Sequence, residues 1–114
     1  MGKYLALYLG AATEDQKNQI TPAQSQKFIE SWGKWAHENE KSLVDAGSPL
    51  NRKTILTANN VEDTSNKRTG YAIIEAQSHE AALDIFSTHP HLTLFPGNSI
   101  EVFECPPPPT EQTP

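Results

Sequence analysis

The chain reads as an α+β domain of the ferredoxin-like type, with the element order βαββαβ. That order gives a four-stranded antiparallel sheet carrying two helices on one face. Three observations predict it. Residues 3–9 (KYLALYL) alternate as a half-buried strand does. Two helix-start signatures, at Thr21 and Ser78, each precede apolar residues at helical spacing. Two further β-prone segments, 70–77 and 98–105, follow the first and second helices in turn.

After the first strand, residues 10–20 are small and polar and read as a loop. Thr21-Pro22-Ala23-Gln24 then supplies an N-cap threonine, a proline at the first helical position and a glutamine that can reach back to the cap. Phe28, Ile29, Trp32, Trp35, Ala36 and Leu43 form one stripe, and Gly47 suits a left-handed C-terminal cap, so the helix is predicted over 22–46. Residues 54–58 (TILTA) are the second strand and 59–69 a polar loop. Residues 70–77 (GYAIIEAQ) are the third strand. Ser78 caps the second helix, whose stripe is Ala82, Ile85 and Phe86 and which Pro90 stops. Residues 98–105 are the fourth strand, which makes 1–105 one domain and 106–114 (PPPPTEQTP) a disordered proline-rich tail.

Both helices lie on one face of such a sheet. The second face is expected to carry Tyr4, Ala6, Tyr8 and Tyr71, and it is too apolar to meet water bare. A second copy of the chain is the simplest cover, so a homodimer is expected.

The 114 residues suit one domain, and the net charge of −5 disfavours contact with nucleic acid. A single cysteine, Cys105, excludes an intrachain disulfide and fits a reducing compartment. The apolar run Tyr4–Leu9 is too short for a signal peptide or a membrane span, so a cytoplasmic protein without membrane contact is expected. Phosphate loops, nucleophile elbows and zinc-protease motifs do not occur, and no cofactor or metal is expected.

Several stretches together resemble the DGPF subgroup of YCII-related proteins. They are KYLALYLG at the start, Trp32-Gly33-Lys34-Trp35, Asp45-Ala46-Gly47-Ser48-Pro49-Leu50, Gly70-Tyr71-Ala72-Ile73-Ile74-Glu75, His89-Pro90-His91-Leu92 and Ser99-Ile100-Glu101-Val102. The D-G-P-F signature itself is missing from the segment before the third strand, where Val61–Thr69 stands. The resemblance implies a dimeric α+β barrel with a pocket holding a histidine and an aspartate. It also implies acid/base work, of the isomerase or dehydrochlorinase kind, on a small cyclic compound.

The candidate catalytic pair is His91 and Asp45. Histidine ordinarily titrates near neutrality, which suits proton transfer, and a carboxylate beside it would fix its tautomer. Asp45, expected in the last helical turn against the dipole, gains from a neighbouring cation. His89 falls on the second helix's stripe, as a core or interface histidine. Candidate ligand-binding residues are Tyr8 and Tyr71 on the second sheet face, Trp32 and Trp35 as an aromatic clamp, and Asn39 as a polar group within the stripe. The same cavity would equally serve a non-catalytic, dimeric ligand-binding or structural module.

Overall fold

A computed structural model describes residues 1–108, so the part of the expected proline-rich tail from residue 109 onward lies outside the described residues. The elements in chain order are β1 (Gly2–Leu9), α1 (Glu14–Asn18), α2 (Pro22–Glu38), β2 (Leu43–Asp45), β3 (Lys53–Leu56), β4 (Val61–Thr64), β5 (Arg68–Ala76), α3 (His79–Phe86), α4 (His91–Leu94) and β6 (Ser99–Cys105). The main sheet is antiparallel throughout, in the order β2-β5-β1-β6. The predicted βαββαβ path is therefore present as β1, α2, β2, β5, α3, β6. The hairpin β3–β4 is inserted in the chain between β2 and β5. No helix among the described residues is long and apolar enough to cross a membrane.

Both helix starts carry the expected chemistry. Thr21 Oγ1 accepts from Gln24 N at 3.1 Å, and Gln24 Oε1 accepts from Thr21 N at 2.9 Å. Ser78 Oγ accepts from Ala81 N at 3.0 Å. The loop expected over 10–20 contains a short helix of its own, α1, closed by a second capping box between Thr13 and Gln16.

The end of the first helix differs from expectation. Helix α2 stops at Glu38, and Asn39 folds its side chain back so that Nδ2 donates to Trp35 O at 2.9 Å. Residues 43–45 are instead an edge strand on β5, with Glu75 N donating to Ser42 O and Leu50 N donating to Thr69 O. Leu43 falls at helical spacing from Trp35 and Asn39, but its apolar side chain is spent on sheet packing. The strand expected over 54–58 is found at Lys53–Leu56, yet it pairs only with β4 and takes no place in the main sheet. That partner strand occupies the segment expected to be a loop.

The two faces of β1 are exchanged relative to the sequence prediction, whereas Tyr71 of β5 lies on the uncovered face as expected. Tyr4, Ala6 and Tyr8 of β1, with Gly70, Ala72, Ile74 and Ala76 of β5, are buried beneath the helices. Trp35 of α2 and Ala82 and Phe86 of α3 complete this core. The reason is volume. Gly70, Ala72, Ala76 and Ala6 leave shallow ground on this face, against which the large Trp32, Trp35 and Phe86 side chains of the helices pack. Alternation in a strand separates two faces but does not say which one the helices take. The opposite face carries Leu5, Leu7, Tyr71 and Ile73, all half-buried, with the exposed Phe103. Tyr8 and Tyr71 thus lie on opposite faces.

Candidate active site

A cavity of about 450 Å³ opens at the end of the sheet where β1 finishes and β5 begins. Its floor is the sheet at Tyr8, Gly70 and Tyr71. One wall is α2, through Phe28 and Trp32. The second is the turn Ala46–Pro49, and the third is α4 with the segment after it, through His91, Leu94, Phe95 and Asn98. Lys17 of α1 lines it as well. Such a volume and such apolar walls suit a small, flat molecule.

His91 is 5% exposed and belongs to this wall. Its Nε2 lies 2.9 Å from Leu9 O and 3.1 Å from Ser99 O. Both neighbours are carbonyl oxygens and can only accept, so Nε2 carries the proton and donates to them. In the neutral ring Nδ1 is then an unprotonated acceptor. It has no hydrogen-bond partner among the described residues, on a residue that lines the cavity. Asn98 steadies the loop, with Nδ2 donating to His91 O at 3.0 Å and Oδ1 accepting from Ala11 N at 2.8 Å.

His89 has a different role. It is 1% exposed and sits among Tyr8, Trp32, Trp35 and Phe86, with ring centroids 4.2 to 6.5 Å away. Its Nδ1 accepts from His91 N at 3.0 Å, so it holds the backbone that presents His91. Burial, and then the neighbouring His91, push its pKa down to about 3, which keeps it neutral. This matches the core histidine expected at this position, although α3 ends at Phe86 and His89 lies beyond it.

No hydrogen bond joins His91 to Asp45 among the described residues. Asp45 is exposed on β2; its Oδ2 accepts from Tyr71 Oη at 3.1 Å and its Oδ1 from Gly47 N at 2.8 Å. Its carboxylate serves the uncovered sheet face with Tyr71, whereas the His91 ring sits 5.4 Å from that of Tyr8 on the helix face. The hydrogen bond from Tyr71 to Asp45 raises the tyrosine's pKa, and the carboxylate's charge adds to that. Two backbone carbonyls thus hold the His91 tautomer, the part foreseen for Asp45.

Among the candidate ligand-binding residues, Tyr8 and Trp32 line the cavity, in edge-to-face contact at 5.0 Å. Tyr71 lines it too, though its hydroxyl is bound to Asp45 on the other face. Trp35 is core, with Nε1 donating to Ile85 O at 2.9 Å, and does not line the cavity. Asn39 is likewise outside it, at the end of α2. Lys17, Phe28 and Asn98 have site positions that the sequence reading did not assign. A polar turn before the last strand is the only sequence trace of Asn98, and nothing at Lys17 sets it apart from other exposed lysines. Among the described residues no three His, Cys, Asp or Glu side chains converge as metal ligands.

No family model and no curated protein matches the chain. Among solved structures, the chain is similar in fold to the 5-chloro-2-hydroxyhydroquinone dehydrochlorinase TftG of Burkholderia phenoliruptrix, determined in complex with 2,5-dihydroxybenzoquinone. The match has a TM-score of 0.50 at 12% identity, and covers 87% of this chain and 90% of that one. At that identity it establishes the shared α+β fold.

Proposed function

We propose that the protein performs acid/base chemistry on a small cyclic compound held in the cavity, with His91 Nδ1 as the base. The observation that carries this reading is the tethering of Nε2–H by the carbonyls of Leu9 and Ser99, which leaves the basic nitrogen free at a cavity wall. A base presented in a fixed tautomer from an apolar wall is the minimum needed to take a proton from a ring substrate. Phe28, Trp32 and Tyr8 supply flat apolar surface for a ring. The fold shared with a dehydrochlorinase that binds a quinone supports a ring substrate, and dehydrochlorination requires the removal of one proton together with chloride. We take the chain to be a divergent relative of the YCII-related proteins, at home in a reducing cytoplasm that suits the exposed Cys105.

The test is chloride release from chlorinated hydroquinones, followed with the purified chain. His91→Asn is expected to lower the rate by about a hundredfold or more, the usual worth of a positioned base. Equal rates for the two proteins would remove His91 from the chemistry. Wild-type release no faster than in buffer, with ring compounds still bound, would favour the non-catalytic binding module.

A homodimer formed through the uncovered sheet face belongs to the same proposal. Leu5, Leu7, Ile73 and Phe103 make that face apolar, and Tyr8, expected there from sequence, belongs to the core instead. Leu7→Asp is expected to halve the mass seen by light scattering at micromolar concentration, because an unpaired charge would be buried between subunits. A single-chain mass for the unmodified protein would end this part of the proposal.

A further inference from the structure

The polar atoms of the cavity wall are mostly spoken for. Thr69 Oγ1 donates to Tyr8 O at 3.1 Å, and Ser48 Oγ donates to Pro49 O at 3.4 Å. Both ends of the Asn98 amide are bonded to backbone, as is His91 Nε2. What remains is a short inventory of uncommitted groups, besides the Tyr8 hydroxyl, which lacks a partner but is sealed from solvent. His91 Nδ1 can accept. Trp32 Nε1–H has no partner among the described residues and is not sealed from solvent, so it can donate. Lys17 can donate and is the one charged side chain on the lining.

The remaining donors outnumber the remaining acceptors, and one of them is a full cation. Neutral rings gain little from such a set, because the ammonium would keep its water. An oxygen that carries negative charge gains from both donors. The competing anion is weakly placed. Glu14 Oε1 lies 3.6 Å from Lys17 Nζ, with the two side chains 84% and 54% exposed, and exposed pairs of this kind are readily exchanged. The long aliphatic stem of Lys17 can lie along the apolar wall while its head group stays at the opening. A chain of net charge −5 repels anions at long range, so a local cation is what would allow one to enter.

We infer that the cavity is built for a planar ring bearing an ionised oxygen, and that Lys17 is the residue that recognises the charge. This inference rests on the proposed ring-binding cavity and names its ligand class. Lys17 supplies the positive charge on a lining that also holds the uncommitted indole N–H of Trp32 and the imidazole of His91. A phenolate, an enolate and an aryl carboxylate share this chemistry.

The experiment uses two flat probes of similar size, 4-nitrophenol and nitrobenzene, titrated into the full chain by calorimetry at a pH where the phenol is ionised. The unmodified protein is expected to bind 4-nitrophenolate at least about tenfold more tightly than nitrobenzene. Lys17→Met should remove that preference, Lys17→Arg should restore most of it, and Glu14→Gln should increase it. The yellow phenolate colour gives a second readout, since binding should ionise 4-nitrophenol at lower pH in the unmodified protein and not in Lys17→Met. Lys17 is exposed, so its replacement is not expected to disturb folding. Equal binding of both probes, unchanged in Lys17→Met, would overturn the role of Lys17 while leaving the ring-binding cavity intact. Binding of neither probe would overturn both.

Discussion

Acidification from pH 6.5 to about pH 3 is expected to cost the fold on the order of 4 kcal/mol through His89 alone. In the unfolded chain this imidazole titrates near 6.5; in the folded protein burial holds it down to about 3. Between those values the unfolded state binds a proton that the folded state refuses. Stability is therefore fully present above pH 6.5, falls as the pH is lowered and is lost by about pH 3. Geometry gives the same sign. Protonation of Nδ1 would break the bond accepted from His91 N and leave a cation among four aromatic rings. Urea unfolding at pH 7, 5 and 3.5 tests this, with His89→Asn as comparison, since an asparagine carbonyl can accept in place of Nδ1. The variant should be less stable at pH 7 yet show a shallower dependence on pH. Parallel curves for the two proteins would show that His89 does not govern acid sensitivity. The loss matters because domains of this size have only about 5–15 kcal/mol in total.

Gly47→Ala is expected to destabilise the protein by about 3 kcal/mol or more. The backbone there has φ of +83°, where an L side chain is strained. A Cβ would also stand 1.6 Å from Tyr71 O, and a backbone atom cannot swing aside as a side-chain tip can. Relief requires β2 and the turn after it to move away from β5, which loosens the cavity wall formed by Ala46–Pro49. A drop in the urea midpoint together with weaker binding of the 4-nitrophenol probe is the expected pair of results. A variant as stable as the parent would mean that the turn is far more yielding than its geometry indicates. Gly33, by contrast, has open space where a Cβ would be, and no such effect is expected of it.

The extent to which the sequence revealed this fold follows from which signals were local. Caps are local: Thr21 and Ser78 announce their helices through residues within one turn. The strands β1, β5 and β6 are local too, each long enough for its alternation to show. What failed were decisions that depend on distant partners. Leu43 continues the helical spacing of α2 and also suits an edge strand; contact with β5, about 30 residues on, decides between them. The assignment of the faces of β1 failed for a similar reason, since the small residues that admit the helices are contributed by two strands together. His91 was visible as a loop histidine after a proline. Its tautomer was not visible, because the carbonyls that hold Nε2 belong to Leu9 and Ser99, on two different strands. Asp45 was paired with His91 by the family resemblance and by an expected helix end, and the strand found there places its carboxylate beside Tyr71.

The central position of β1 has a consequence for how the chain assembles. This strand is the first to be made, yet Gly2 pairs with Ala76 and Lys3 with Cys105. Neither neighbour exists until most of the chain has been synthesised, which at about 5–20 residues per second leaves β1 unpaired for several seconds or more. Both helices need the same sheet to cover their Trp and Phe side chains, so they too must wait. Only the β3–β4 hairpin can close from local sequence, and it contributes no strand to the sheet. Folding should therefore be a late, concerted event with a high contact order, and comparatively slow for so small a domain. Until then the nascent chain carries an apolar strand with two open edges, the kind of segment that chaperones hold.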